Sequence, residues 1–407
     1  MDNVLMDKKV LNIDKSTWKL TKLGKLLEDI SQRVDNPSQS GYDQFVGLEH
    51  FVSGDIKIKN WGTTENLTSS TKAFKAGDIL FARRNAYLRR ASLVDFDGCC
   101  SGDAFVLREN HDKVVPGFLA FFMNSNAVWD FANENAAGTM SKRVKWRDLA
   151  NYEFLLPPKD QQAQLAELLW ALDEVVEREN RLKIDLENAL NTMIENEIHG
   201  VDLHGKVIRE VLDELSNDVE LVSLSELGEL LKGKGIPKSD VQEAGFPCVR
   251  YGELYTKHHR IIRDFHSFIS EEIKSESFLL QKHDVLFAGS GETITEIGKS
   301  AAFVDDIEAY AGSDTLLFRP FDMDGHYLGY LMNSQLVRQQ LNKYGTGATV
   351  MHIYNSDLAK VKVPRIGRDR QIEIAEKLES MSTTVFKLDS NITSSKALQK
   401  SLINQIF

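Results

Sequence analysis

Basic side chains arrive along this 407-residue chain in short clusters. The first half carries Arg83-Arg84, Arg89-Arg90 and Lys142-Arg143, with Lys145 and Arg147 close behind. The second half carries Lys232, Lys234 and Lys238, then Arg250-Tyr251, then His258-His259-Arg260 with Arg263. The guanidinium fork of arginine matches the O6/N7 edge of guanine, and any cation can hold a phosphate. Taken one at a time, such clusters are ordinary solvated surface. Together they recur after equivalent strands of a duplicated sequence, which predicts two DNA-facing surfaces. The candidate contact residues are Arg83, Arg84, Arg89, Arg90, Lys142, Arg143, Lys145, Lys232, Lys234, Arg250, Tyr251, His259, Arg260, Ser290 and Lys299.

Enzyme chemistry is not legible. The run Gly291 to Ser300 ends like a phosphate-binding loop, but the leading glycine belongs five positions before Gly298, where Thr293 stands. Its counterpart in the first half, Leu88-Arg89-Arg90, keeps a cation and lacks the glycine. Asp35-Asn36-Pro37-Ser38 reads as a turn with no glycine-rich cofactor loop before it. His258, His259 and His266 lack the carboxylate or cysteine spacing of a metal site and read as solvated or DNA-facing. The three cysteines, Cys99, Cys100 and Cys248, are odd in number and two are adjacent, which argues against a disulfide framework or a zinc site. That pattern predicts a reducing compartment, most simply the cytoplasm. No catalytic residue, metal ligand or cofactor is expected in this chain.

The clusters need a scaffold, and the chain states that scaffold twice. Leu20-Thr21-Lys22-Leu23-Gly24 returns as Leu224-Ser225-Glu226-Leu227-Gly228, 204 residues later. Asp78-Ile79-Leu80-Phe81-Ala82 returns as Asp284-Val285-Leu286-Phe287-Ala288, and Met123-Asn124-Ser125 as Met332-Asn333-Ser334. Asp148-Leu149-Ala150 returns as Asp357-Leu358-Ala359 at an offset of 209. A period this long exceeds the roughly 20–50 residues of solenoid repeats and marks a duplicated domain. Arg83-Arg84 and Gly289-Ser290 come directly after the same repeated strand, so one scaffold carries two loop chemistries. Short apolar runs between Gly- and Asn-bearing turns predict β-rich domains. Helices are expected at Phe118–Met123 and Tyr327–Met332.

After each β-rich part comes a long helical pattern. Pro157-Pro158-Lys159-Asp160 and Pro364 to Asp369 supply a stop signal and an acidic N-cap candidate. Leu165, Leu168, Leu172, Val175, Leu182, Leu186, Ala189 and Met193 then keep 3–4 spacing, as do Ile374, Leu378, Met381, Val385, Leu388 and Ile392. Nearly forty residues of helix is ~58 Å at 1.5 Å per residue, longer than a small domain, so the two helices are expected to pair as an antiparallel coiled coil. The expected fold is α+β and pseudo-twofold: residues 1–156 and 206–365 as β-rich domains, 157–205 and 366–407 as helices. The net charge of −11 belongs to one stretch, since residues 151–220 hold 6 basic and 17 acidic groups. The globular parts are near neutral, so net charge excludes no nucleic-acid partner. No apolar run approaches the roughly 20 residues of a membrane span, and Met1 to Val10 is too charged for a signal peptide.

In order and spacing these motifs resemble the DNA-specificity (S) subunits of type I restriction-modification systems, over essentially the whole chain. The residues that carry the resemblance are Leu-x-x-Leu-Gly at Leu20 and Leu224, and the strands at Asp78 and Asp284. They continue with Gly138-Thr139-Met140 and Gly347-Ala348-Thr349, the Leu156-Pro157-Pro158 approach to Gln161-Gln162, and Val363-Pro364 before Arg370-Gln371. Members usually show Glu-Gln where this chain has Gln161-Gln162 and Arg370-Gln371. The resemblance implies two target-recognition domains that each read half of a split, asymmetric double-stranded DNA target. It implies that the helices, through Gln162, Leu165, Leu172 and Leu186 and through Gln371, Ile374, Leu378 and Val385, space the readers and dock two methyltransferase (M) subunits. Restriction-motor (R) subunits join the assembly, and S-adenosylmethionine, ATP and magnesium belong to those partners. The rival expectations are an orphan or methylation-only specificity subunit, a protein scaffold, or a self-contained nucleotide-dependent enzyme.

Overall fold

The computed structural model describes residues 13–200, 203, 205–291, 297–344 and 351–407. Gly347-Ala348-Thr349, the Glu292–Glu296 part of the phosphate-loop-like run, and Met1 to Val10 lie outside the described residues. The fold is α+β, with two β-rich units that repeat one plan. The contacts divide the chain into residues 1–181 with 389–407, and residues 182–388.

In the first unit, strand β1 (Ile79–Ala82) lies beside β2 (Ala104–Glu109), antiparallel, in a four-stranded sheet flanked by Leu27–Asp29 and Ala91–Leu93. All four β1 side chains are buried, as a short continuous apolar run predicts for a strand covered on both faces. The period of two sends them to different cores. Ile79 and Phe81 pack with Phe105, Phe118, Phe122 and Trp129, whereas Leu80 packs with Val46, Phe74 and Val106. The Phe81 and Trp129 rings stack at 4.5 Å. A five-stranded sheet closes the second core: Arg33–Val34, Thr71–Phe74, Gly98–Cys100, Gln44–Val46 and Gly62–Thr63.

After this unit comes helix α1 (Lys159–Ile198). The second unit then repeats the arrangement, with β3 (Val285–Ala288) antiparallel to β4 (Thr315–Pro320). Val285 and Phe287 join one core, while Leu286 and Ala288 join the other. Helix α2 (Arg368–Ile406) ends the chain's run of elements. Each unit is tied shut by the same device, a short antiparallel ladder just before the long helix: Lys19–Lys22 with Glu153–Leu156, and Leu221–Ser223 with Lys362–Pro364.

The repeated aspartate of the strand motif explains itself at this level. Asp78 is 1% exposed, accepts from Lys75 N at 2.8 Å and receives Arg108 Nε and Nη2, both at 2.7 Å. Asp284 is fully buried and repeats the set with Gln281 N at 2.8 Å and Arg319 at 2.8 and 2.6 Å. A carboxylate closes the turn before the strand and pins the neighbouring strand through its arginine.

Both long helices begin one residue before the expected caps. Asp160 and Asp369 sit inside the first turn, where a negative charge favours the helix dipole, rather than at the N-cap. Inside the first unit, Asp173 accepts from Gln399 Nε2 at 2.9 Å. One turn on, Glu177 pairs with Lys59, whose partner Asp55 also meets Lys396. Earlier on α1, Ala166 and Leu169 share a core with Leu402 and Ile406, so as α1 advances toward Asp173 its partner retreats toward Gln399, and the pairing is antiparallel. Inside the second unit, Glu197 pairs with Arg370 and Lys377.

The buried stripe of α1 departs from the expected one. Ala166, Leu169, Val176, Leu190 and Ile194 are buried, whereas Leu168 and Val175 are each 46% exposed and Leu182 is 50% exposed. Each residue advances about 100° around a helix, so positions one residue apart lie on neighbouring faces. Helix α1 carries two adjacent apolar faces, and the domain uses one of them. Among the described residues no helix is long and apolar enough to cross a membrane.

Candidate nucleic-acid interface

Where β1 runs out at Ala82, three segments meet. Val144 N donates to Arg83 O at 2.9 Å, Asn85 N to Lys142 O at 3.0 Å, and Arg83 N to Asp103 O at 3.0 Å. Arg84 and Arg143 face each other in an isolated antiparallel bridge. Backbone pairing therefore sets the arginines of two distant loops around Asp103, the residue that precedes β2.

Arg143 holds that carboxylate with two hydrogen bonds, Nε to Oδ1 at 2.8 Å and Nη2 to Oδ2 at 3.1 Å. Arg84 Nη1 lies 3.7 Å from Oδ2, and Arg83 Nε lies 3.8 Å from Oδ1. The Arg143 hydrogen bond leads in holding the Asp103 carboxyl below the usual carboxylate range, against partial burial. Arg84 also donates Nε to Ser141 Oγ at 2.7 Å. Arg83 packs its guanidinium over the Phe105 ring at 5.6 Å. Among the described residues, then, three cations share one anion at this end of the sheet. Lys142 and Lys145 stand exposed beside them, and Met140 is 99% exposed.

Other sequence candidates in this unit are engaged within the protein. Arg89, at φ +50°, donates to Asn126 Oδ1 at 2.6 Å and to Asp130 Oδ1 at 2.9 Å. Arg90 donates to the carbonyl of Leu48 at 2.8 Å. Both brace the loop that carries Arg84.

The second unit brings the matching loops together with different side chains. Ser290 pairs with His352 as Arg84 does with Arg143, and Ser290 Oγ lies 2.8 Å from His352 Nδ1. Gly289 N donates to Asp314 O as Arg83 N does to Asp103 O. Asp314 is exposed. Lys232 ends the strand Gly228–Lys232, and Lys234 and Tyr251 lie on loops at the same sheet edge, where Gly233 N bonds Thr315 O, Lys234 N bonds Ala311 O and Gly312 N bonds Val249 O; all three side chains are exposed. Arg250 is half-buried there, and Lys299 lies beside Ala288 through a backbone hydrogen bond.

His259 is exposed and its neighbour His258 is buried against His266, and the surrounding protein desolvates both rings and pushes both down to about 4. His258 is therefore neither solvated nor charged at neutral pH, contrary to the expectation for it. Arg260, at φ +64°, reaches α1 at Asn191 Oδ1 with a 2.7 Å hydrogen bond and lies over the Tyr330 ring. Gly298, the glycine of the phosphate-loop-like run, takes φ +68° with Leu341 packed at its Cα. It is a turn glycine under a helix.

On the long helices, Gln162 and Gln371 are buried at 1% and 3%. Gln162 accepts from Val115 N at 2.9 Å and donates to Pro157 O at 2.8 Å; Gln371 accepts from Asp324 N and donates to Ile366 O, both at 2.9 Å. Each amide staples the start of its helix to the segment before the short helix of its own domain. Ile374 and Leu378 are core residues, while Leu165, Leu172, Leu186 and Val385 are half-buried. Sequence reasoning missed Asp103 and Ser141. Setting Asp103 against Asp314 in the repeat, directly ahead of equivalent strands, would have marked the position.

Among the described residues there is no group of three or more His, Cys, Asp or Glu placed to hold a metal ion. The family described as type I restriction modification DNA specificity domain matches twice, at residues 15–188 and 216–394. The chain is 23% identical over 310 residues to the type I restriction enzyme MjaVIII specificity subunit of Methanocaldococcus jannaschii, covering 72% of each. Its fold is similar to the S subunit of a type I restriction-modification system from M. genitalium, with TM-score 0.59, 15% identity and 98% of both chains covered. A chain in a structure concerned with complex assembly and conformational transition of the type I R-M system matches with TM-score 0.55 and 21% identity, over 95% of this chain and 97% of that one.

Proposed function

The chain belongs to the type I restriction modification DNA specificity family, and from that premise we propose that its two units read the two halves of a split, asymmetric duplex target. It is the DNA-targeting subunit of its system and is not an enzyme. The carrying observation is one scaffold with two loop chemistries: three arginines around Asp103 at the end of β1, and Ser290 with His352 at the end of β3. Two readers of unlike sequences need this arrangement, because backbone and phosphate contacts position while side chains at base edges specify. In the first unit Arg84 and Arg143 are the base-reading side chains, with Lys142 and Lys145 on phosphates. Met140 offers an apolar surface suited to a thymine methyl. In the second, Ser290, Lys232, Lys234, Arg250 and Tyr251 take these roles. Arg89, Arg90 and Arg260 act through the loops they brace.

The unused apolar face of α1, with Leu168 and Val175, is the docking surface for a methyltransferase subunit. Restriction-motor subunits join through that assembly. S-adenosylmethionine, ATP and magnesium serve the partners, and the complex works in the cytoplasm, where its DNA lies. The test is to express the chain with the methyltransferase encoded beside it and map methylated adenines across the genome. A single two-part, asymmetric motif is expected. Methylation without sequence preference, or a continuous motif, overturns the reading.

A further inference from the structure

The geometry points to a guanine reader in the first unit: Arg143, held ready by Asp103. This rests on the proposed DNA-reading function and adds the base and the atoms. A guanidinium has two edges able to make paired hydrogen bonds. Asp103 occupies one of them, taking Nε at 2.8 Å and Nη2 at 3.1 Å. The outer edge, formed by Nη1 and the second hydrogen of Nη2, has no acceptor in the hydrogen bonds of the described residues, and the Arg143 side chain is 42% exposed. Two parallel donors on an exposed, fixed edge match the two acceptors O6 and N7 that guanine alone presents together in the major groove.

Three features separate this pair from an ordinary surface ion pair. The first is rigidity: the Arg143 backbone is bonded to Ala137 at both N and O and bridged to Arg84, and Asp103 grips its guanidinium with two hydrogen bonds, so little freedom remains to be lost on binding. The second is charge. Asp103 is crowded by Arg83 and Arg84 as well as Arg143, and the cluster keeps a positive surplus for the phosphate field. The third is the comparison inside the molecule. Arg108 grips Asp78 through the same edge at the far end of β1, but Arg319 repeats that pair in the second unit, as a shared structural device should. The Arg143–Asp103 pair has no such repeat, because His352 stands in place of Arg143 beside Ser290. A feature that differs between two copies of one scaffold is where two targets differ.

Asp103 is a positioning residue on this account, and Arg143 the contacting one. The experiment uses the full chain co-expressed with its methyltransferase and reads the methylated motif for wild type, Arg143→Ala, Arg143→Lys, Asp103→Asn and Asp103→Glu. Wild type is expected to require guanine at one position of one half-site. Arg143→Ala and Arg143→Lys should each lose roughly tenfold to a hundredfold of that preference, because lysine keeps the charge without the fork. Asp103→Asn should weaken preference at the same position, Asp103→Glu should partly restore it, and the other half-site should be unchanged. A wild-type motif that persists unaltered in Arg143→Ala and Arg143→Lys overturns the guanine assignment and leaves the two-reader function standing. Absence of any sequence-specific methylation in wild type removes both. Thermal unfolding of each purified variant accompanies the maps, and a motif change confined to variants that also unfold early counts against the assignment.

Discussion

Arg84 and Arg143, 59 positions apart, face each other across one antiparallel bridge at the end of β1, and Ser290 and His352 do the same at the end of β3. In both copies antiparallel backbone pairing joins the two loops, as an isolated bridge in the first and a two-residue ladder in the second, while the side-chain chemistry differs. In the first unit the paired side chains are cations that converge on Asp103. In the second they are a hydroxyl and an imidazole joined at 2.8 Å. Duplication has kept the bridge that aims the loops and changed what the loops present.

Replacing Arg83 and Arg84 together with Ala is expected to degrade one half-site only. Arg83 braces through Phe105 and Arg84 reaches Ser141, so the loss combines positioning with contact. A base-contacting arginine contributes about 1–3 kcal/mol of discrimination, which methylation mapping resolves. Equal damage to both half-sites would mean the arginines act as general phosphate contacts.

Asp78→Ala and Asp284→Ala should each destabilise by about 1–3 kcal/mol. Each change strips a buried acceptor from a turn N–H and releases the arginine that it grips. Denaturant unfolding of the purified chain checks this, and because the repeated aspartate is structural, neither substitution should change the bases preferred by whatever protein remains folded.

Asp173 gives a pH-dependent expectation. Burial raises its carboxyl above the ordinary range, opposed by the Gln399 hydrogen bond. For an acid whose folded pKa is raised, the stability it contributes is present below the unfolded value of about 3.9 and is lost as pH rises through the folded one. Asp173→Asn should therefore raise the thermal midpoint at pH 7, with the advantage fading toward pH 4. An equal shift at both pH values would assign the effect to packing.

Four residues inserted after Leu182 lengthen α1 by about 6 Å and rotate the rest of the helix by ~40°. On the proposed function, the unread spacer of the motif should grow by one or two base pairs at about 3.4 Å each. The half-sites should stay as they are, with some loss of activity. An active insertion variant with an unchanged spacer removes the helix as the ruler.

The lone chain should bind neither ATP nor S-adenosylmethionine. The glycine resembling a phosphate loop is a turn under Leu341. Stoichiometric micromolar binding of either ligand in calorimetry would overturn the assignment of cofactors to partner subunits.

Much of this architecture was written locally. Ile79-Leu80-Phe81-Ala82 and its copy at Val285 read as buried strands because four apolar residues in a row have no solvent face. Pro157 and Pro364 mark where the long helices begin, because proline ends what precedes it and Asp160 and Asp369 suit a first turn. The duplication itself needed only the order of motifs. Tertiary structure alone decided which arginine is presented and which is consumed. Arg89 and Arg143 are the same residue type in similar loops, yet Arg89 is tied to Asn126 and Asp130 on the helix beside its loop, while Arg143 meets Arg84 and Asp103 at the end of β1. It likewise decided which of two adjacent apolar faces of α1 is buried, Leu169 or Leu168. Periodicity and composition act within a few residues, whereas a hydrogen bond between positions 103 and 143 exists only after two strands and a bridge have carried both loops to one place.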